Sequence, residues 1–390
     1  MLRSMLFLLG FQGTVPEQVH IAFGKDPRTT MSVAWQTPMP TEDQVIEWGS
    51  GANRQRTSAR RVRYQRETGA IYEVRLQNLQ PDTTYSYRVG EEAGGWSRTY
   101  QFRTAPRSPR QFHFTAFGDH GVTPKALWNA RNVMRENPAF HLLLGDISYA
   151  NGNQPVWDDY LRQIEPMAAQ FPIMAALGNH ENETIKVDGT PLRIGYEAYL
   201  ARFALPEPEQ QYWFDYGNAR FVSFNSDKYA DADQLAWLGR TLSDARRNAR
   251  VKWLIVFQHH PPYGSCEKRG DNLPLIKAVT PIFDQFKVDL VLSGHDHHYE
   301  RQYPLRDGQI TSKSPGQYRQ GDGTLYVKQG GGGKSLYNFV DPQPEMCAFR
   351  EKSYGYLKVT VPDRGPLVID ALRSDNTLME RIEILPRDRS

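Results

Sequence analysis

Five times between Phe112 and His297, a largely apolar run of five or six residues ends on a side chain that can hold a cation or move a proton. The runs are Phe112–Phe117, Phe140–Leu144, Ile173–Leu177, Trp253–Phe257 and Val288–Leu292, and within three residues they deliver Asp119, Asp146, Asn179, His259 and His295. Short apolar runs bounded by turn residues read as buried strands. A further run, Phe221–Phe224, and helix-like stretches at 124–136, 156–170, 231–248 and 274–286 are interleaved with them. Strands alternating with helices predict a layered α/β domain. Such sheets gather ligands outside the carboxyl ends of their strands, so these segments predict a single site.

Ahead of Phe112 the pattern is different. Val19–Phe23, Met31–Gln36, Gln44–Trp48, Ala70–Leu76, Thr84–Val89 and Arg98–Arg103 are short, rich in β-branched and aromatic residues, and separated by turns such as Pro81-Asp82 and Gly94-Gly95. That spacing predicts an all-β sandwich. Ala105–Arg110, polar and proline-bearing, reads as a linker. The expected division is a signal-like or disordered tail at 1–14, a sandwich at 15–105, a linker at 106–111 and an α/β domain at 112–390. Gly355–Leu385 alternates again and should add antiparallel strands. Gly308–Pro344, rich in Gly, Ser, Gln and Lys, should form surface loops around one strand, Thr324–Gln329. Within it, Gly330-Gly331-Gly332-Gly333-Lys334-Ser335 lacks the spacer of a phosphate-binding P-loop. No internal repeat is visible, which disfavours solenoids and propellers.

Two domains also follow from length, since 390 residues exceed the ~100–200 usual for one. A net charge of +3 without a block of like charges gives no nucleic-acid footprint. Two cysteines, Cys266 and Cys347, are too few for a metal knuckle or a disulfide scaffold. They leave one bridge open, which an oxidising compartment would close and a reducing one would not. Met1-Leu2-Arg3-Ser4 followed by Met5–Leu9 has the basic start and short apolar core of a secretion signal, without an Ala-x-Ala site. It is far shorter than the ~18–20 residues of a membrane span. The expectation is a secreted or periplasmic protein with no membrane span.

Any one of the five segments alone would be weak evidence, because Gly-Asp after a strand is usually a turn. In order, they are Gly118-Asp119-His120-Gly121, Gly145-Asp146-Ile147-Ser148-Tyr149, Gly178-Asn179-His180-Glu181, His259-His260-Pro261-Pro262-Tyr263 and Gly294-His295-Asp296-His297. Oxygen donors and imidazoles suit iron, zinc and manganese, and one carboxylate can bridge two cations. Histidines two apart face the same way on extended backbone, so His295 and His297 could each reach one of two neighbouring metals. Metals ~3.5–4 Å apart can clamp a phosphate and activate water.

These residues resemble those of the purple acid phosphatases, within the calcineurin-like metallophosphoesterases, over nearly the whole chain. Val33-Ala34-Trp35-Gln36-Thr37-Pro38 and Tyr100-Gln101-Phe102-Arg103-Thr104 are similar to that family's fibronectin-III-like N-terminal domain. The resemblance implies a four-layer αββα catalytic sandwich. It also implies a ferric ion on Asp119, Asp146, Tyr149 and His297, and a divalent iron, zinc or manganese on Asp146, Asn179, His259 and His295. The implied reaction is hydrolysis of small phosphate monoesters by in-line attack of a metal-bound hydroxide, with Asp146 bridging and His180 contacting a phosphate oxygen or protonating the leaving group. Phosphodiesterase, nucleotidase or phytase activity on the same site is the alternative. A binding module carrying a degenerate hydrolase is disfavoured because no ligand is lost.

Tyr149 decides the branch. Most calcineurin-like enzymes place a histidine two residues after the first aspartate; here that position is Gly121, and a tyrosine follows Asp146 instead. The outer shell departs from plant-type members, which carry further histidines shortly after the His259 segment. His260, His298, His120 or Lys268 could substitute, and His180, His260 and His298 are the expected substrate-binding residues.

Overall fold

The computed structural model describes residues 15–108 and 110–387. The signal-like segment 1–14 lies outside them. The N-terminal strands form two antiparallel sheets. One has the order Glu17–Phe23, Met31–Thr37, Ala70–Leu76, Arg60–Val62; the other contains Gln55–Ser58, Val45–Gly49, Thr84–Glu91 and Gly95–Trp96, with Tyr100–Arg103 also paired to Thr84–Glu91. Alternation buries Val33, Trp35, Tyr72 and Val74 from one sheet and Ile46, Tyr85, Tyr87 and Val89 from the other. The buried Trp35 indole donates to Gln44 Oε1 at 2.8 Å, so its polar edge is not left unpaired.

The C-terminal domain contains two seven-stranded sheets. The first runs Ile173–Ala175, His141–Leu143, Phe112–Phe117, Gly355–Val361, Leu367–Arg373, Leu378–Leu385, Gln317–Arg319. Its first three strands are parallel, and the late strands join antiparallel, as the return of alternation predicts. The second runs Tyr212–Tyr216, Ala219–Ser223, Trp253–Phe257, Leu290–Ser293, Leu325–Gln329, Tyr299–Gln302, Cys347–Glu351.

Period-two patterning divides the second sheet between two cores. Leu254, Val256 and Val291 pack with Leu238, Leu242, Leu275, Val279 and Phe283 of the helices Ala232–Arg247 and Leu273–Gln285. Trp253, Ile255, Phe257, Leu290 and Leu292 face the first sheet, in a core that also holds Trp157, Tyr160 and Ile164 of the helix Gln154–Ala168 and Val133 of Pro124–Glu136. The result is helix, sheet, sheet, helix. Each such apolar side chain contributes about 1.5–3 kcal/mol on burial. Pro124–Glu136 starts where Thr123 Oγ1 caps the Ala126 amide and stops at Asn137, which is left-handed.

An aromatic seam joins the domains. Phe23 lies 5.8 Å from Phe140, 6.1 Å from Phe214 and 5.7 Å from Tyr216 between ring centroids. Polar contacts close its rim: Tyr87 Oη donates to Ala169 O at 2.7 Å, the Gln18 amide to Glu165 Oε2 at 2.7 Å, and Arg75 to Glu209 Oε1 at 2.7 Å. No helix among the described residues is long and apolar enough to cross a membrane.

Two expectations change. Gly330–Gly333 is buried, not part of a surface loop, and Gln317–Arg319 is a further strand, paired with Leu378–Leu385 at the edge of the first sheet. The short helix Glu197–Arg202 and the strands Glu183–Val187, Thr190–Gly195 and Tyr299–Gln302 are additional elements.

Candidate metal centre

Within each sheet the parallel strands point their carboxyl ends the same way, and the five polar segments follow those ends. The turns are sharp. Asp119, Asp146, Tyr149 and His295 all have left-handed backbone, with φ of 58°, 49°, 59° and 72°. For non-glycine residues this costs about 1–3 kcal/mol each and concentrates where function constrains geometry.

Glu181 holds two of these turns. Fully buried, it accepts the Asp146 and Gly178 amides at Oε2 and the Ile147 amide at Oε1, each at 2.8 Å. Asp146 Oδ1 in turn accepts the His180 amide at 2.9 Å.

The predicted ligands converge in two groups. In one, Tyr149 Oη lies 2.9 Å from Asp119 Oδ1 and 3.0 Å from His297 Nε2, with His297 Nε2 to Asp119 Oδ1 at 3.3 Å. In the other, His259 Nε2 is 3.2 Å from Asp146 Oδ1 and 3.0 Å from His295 Nδ1. The groups meet where donor atoms of Asp119, Asp146 and His259 lie within 4.8 Å of one another.

Backbone carbonyls set the tautomers. His259 Nδ1 bonds Leu144 O at 2.8 Å and His297 Nδ1 bonds Ser335 O at 2.7 Å, which leaves each Nε2 lone pair aimed inward. Asn179 Oδ1 is buried without a hydrogen-bond partner, and a strong acceptor in that position is satisfied by a cation. This donor set suits two metal ions.

Electrostatics agree. Burial opposes charge on His259, but the Asp146 carboxylate outweighs it and lifts the imidazole to about 10, so a cation binding there displaces a proton. Burial, reinforced by the neighbouring His259, keeps His295 neutral and able to donate a lone pair. Burial beside Asp119 raises the Tyr149 phenol far above its ordinary range, so only a strong Lewis acid would ionise it.

Asp119, Asp146 and His259 form the floor, while Tyr149, Asn179, His180, His260 and His295 retain partial exposure and mark the mouth. His180 packs on Tyr149, with ring centroids 4.4 Å apart, and its Nδ1 meets Asn151 Oδ1. His260 lies 4.3 Å from the His295 ring and pairs with Ser226 Oγ at 3.0 Å; burial, then the adjacent His259, lowers it to about 3.

Two of the outer-shell candidates lie elsewhere. His298 is fully buried behind the cluster, 3.1 Å from Glu300 Oε2, and His120 is fully buried between Ala126 O and Tyr160 Oη. Neither reaches the mouth, because the His298 ring packs under Phe339 and the His120 ring against Phe117. Lys268 sits over the Tyr337 ring, which stacks on His297 at 4.0 Å.

The sequence reading gave no role to Glu181, Ser335, Tyr337 or Arg269, whose Nη1 donates to His295 O at 3.0 Å. Glu181 stands two residues after Asn179 and could have been found there. Ser335 acts through its carbonyl, which carries no sequence signal. Cys266 and Cys347 are both buried free thiols.

Three family profiles match the chain: "Purple acid Phosphatase, N-terminal domain" over residues 16–104, "Calcineurin-like phosphoesterase" over 112–299 and "Iron/zinc purple acid phosphatase-like protein C" over 323–380. The chain is 31% identical to acid phosphatase type 7 of Homo sapiens, covering 95% of this chain and 92% of that protein. It is 28% identical to "Probable inactive purple acid phosphatase 1" of Arabidopsis thaliana, over 93% of this chain and 67% of the other. Among solved structures, a purple acid phosphatase from yellow lupin (Lupinus luteus) seeds superposes with a TM-score of 0.86 at 25% identity, covering 95% of this chain and 74% of that one.

Proposed function

The chain belongs to the purple acid phosphatase family, which includes phosphoric monoester hydrolases, and from that premise we propose that its loop-end cluster is a dinuclear iron-containing phosphatase centre. Asp119, Asp146, Tyr149 and His297 would hold the ferric ion; Asp146, Asn179, His259 and His295 would hold a divalent iron, zinc or manganese. The observation that carries the proposal is the buried, unpartnered Asn179 Oδ1 beside two groups of converging donors. When bound, such metals supply Lewis acidity that neutralises phosphoryl charge and lowers the pKa of water to about 7 or below.

The remaining work falls to the chain itself. Leu144 O and Ser335 O hold His259 and His297 in one tautomer. The Asp119 and Asp146 carboxylates share the floor with His259, their donor atoms within 4.8 Å of one another. His180, anchored through its amide to Asp146 and resting on Tyr149, presents a partly exposed imidazole at the mouth. There it would hydrogen-bond a phosphoryl oxygen or give a proton to the leaving oxygen. His260, partly exposed at the mouth, is held low, which suits a neutral donor to a phosphate oxygen better than an acid. The substrates are small phosphate monoesters, and the signal-like N-terminus favours a secreted or periplasmic protein.

Tyr149→Phe provides the test. It deletes the phenolate donor with little change of shape, so the visible charge-transfer band of the purified protein should vanish while a second, divalent metal remains by elemental analysis. An unchanged spectrum, or a protein without iron, would overturn the iron assignment.

A further inference from the structure

At the end of the second sheet away from the metal cluster, charge is not balanced. The strands Ala219–Ser223, Trp253–Phe257 and Leu290–Ser293 are parallel, and His259 and His295 follow the carboxyl ends of the last two. Two cavities open at the amino ends. One, of about 460 Å³, lies between the sandwich turn at 25–28, Arg107 of the linker and the turn at 217–219. The other, of about 760 Å³, is walled by Trp253, Gln320, the turn at 363–365 and Arg387. Ala249, Val251 and Lys252 line both, so the two form one groove. The five residues of Trp253–Phe257 alone put roughly 15 Å between it and His259.

Six exposed cations line this groove: Lys25, Arg107, Arg250, Lys252, Arg364 and Arg387. The first five make no ion pair among the described residues. Arg387 has a long contact of 3.9 Å to Asp289, a carboxylate whose nearer partner is Arg246 at 3.0 Å. Burial, then the Arg246 guanidinium, holds Arg387 below its ordinary range, as crowding of like charges does. The lining acids do not restore balance, because Asp26 is committed to Arg28 at 2.9 Å and Asp215 to Arg220 at 2.7 Å. Five unpaired cations against the free carboxylate of Asp363 already exceed the net +3 of the whole chain, so the rest of the molecule is slightly acidic.

Exposed cations hold a single small anion weakly, because water and salt screen each contact. A polymer that engages several at once gains from their linkage. Four of the six are arginines, whose planar fork matches carboxylate and sulfate groups. The groove is concave, and none of the exposed large apolar side chains among the described residues lines it, so it has no wedge for a bilayer. Nucleobases find no free platform, since Arg220 covers the Trp213 ring at 3.8 Å and Trp253 is buried. The carboxylates of Asp26, Asp215 and Asp363 interleave with the cations. They repel a ligand charged at every unit and accept the hydroxyls of one that is not.

We propose that this groove docks an acidic polysaccharide, a linear chain whose uronate or sulfate groups meet the arginines and whose hydroxyls meet the interleaved carboxylates. Docking at the amino ends of the strands leaves the mouth of the metal cluster open at the other end.

The test uses the purified, metal-containing protein with fluorescently labelled alginate, dextran sulfate and neutral dextran, and reads affinity by anisotropy at about 0.15 M salt. The groove variant carries Arg250→Gln, Arg364→Gln and Arg387→Gln. A control carries Arg131→Gln, Arg240→Gln and Lys277→Gln, exposed helix positions that line neither cavity and remove the same charge. The groove variant should raise Kd for alginate or dextran sulfate roughly tenfold or more and make binding less sensitive to salt. The control should change it by less than about threefold, and kcat/KM on p-nitrophenyl phosphate should stay at the wild-type value in both. A groove-dependent loss for alginate alone identifies uronates, for dextran sulfate alone sulfate esters, and for both a shared oxyanion chemistry; each supports the proposal. No binding of either polymer, equal binding of neutral dextran, or an equal loss in the control overturns it. Tighter groove-dependent binding of duplex DNA, phosphatidylserine vesicles or polyglutamate assigns the groove to that partner and overturns the polysaccharide. A parallel fall in turnover would join these residues to the active site and overturn a separate docking groove.

Discussion

Phe140 and Asp119 are both fully shielded from solvent, but their surroundings differ in what they leave unfinished. Phe140 sits in the seam between the domains, stacked on Phe114 at 5.3 Å and set edge-on to Phe221 at 5.1 Å and Phe214 at 5.4 Å. Every atom there has its partner within the chain. Asp119 sits among donors that crowd one another, with a lone Asn179 oxygen nearby and left-handed backbone at four of the seven proposed ligands. Apolar burial completes itself, whereas a cluster built for cations is stable only when something else enters it. Left-handed backbone at four ligand positions and one unpartnered buried oxygen therefore coincide at this site.

Substitutions on each side can break the comparison. The largest effect is expected from Asp146→Ala, which removes the carboxylate shared by both donor groups. Turnover of p-nitrophenyl phosphate should fall at least about a thousandfold, with loss of metal by elemental analysis; wild-type turnover would refute a dinuclear centre. Phe140→Ala should act on the seam alone. It should cost about 3–5 kcal/mol in chemical denaturation, while the surviving folded fraction keeps its metal content. Equal loss of metal per folded molecule would mean that seam and site are not separable.

The smallest effect concerns pH at the seam's rim. Burial, only partly offset by Arg75, raises Glu209 from 4.5 to about 7. A raised folded-state value means that the stabilisation is fully present below about 4.5 and is lost as pH climbs through about 7. Glu209→Gln should flatten that decline by on the order of 1 kcal/mol once solvent screening is allowed for. Thermal melts at pH 5 and 8 on both proteins would show it, and parallel pH profiles would remove Glu209 from the account.

Much of the fold could be read from patterning. Ala70–Leu76, Phe112–Phe117, Pro124–Glu136 and Trp253–Phe257 have the bounds expected of them, because each is an apolar or capped stretch with a turn signal at its end. Tyr299–Gln302 was hidden because it buries Glu300, Arg301 and Gln302, which distant partners satisfy: Lys328 pairs with Glu300 at 2.9 Å and Glu380 with Arg301 at 2.8 Å. No local window carries that information. Gly330–Gly333 misled for the opposite reason, since glycines that permit close backbone approach look the same in sequence as glycines that permit a flexible loop.

The candidate cluster was legible because its residues follow strand ends in a fixed order. Its surroundings were not. His298 and His120 were drawn in by residue type alone, whereas Tyr337 approaches from a segment some forty residues beyond His295.

Glu181 has a wider consequence. Its one carboxylate fastens the Asp146 turn to the Asn179 turn through three amides, so the positions of those two side chains are not independent variables. Two of the seven proposed ligands are positioned as a block. A change that shifts either turn is felt at both, and the spacing between the Asp146 and Asn179 side chains is a property of the scaffold, inherited whole.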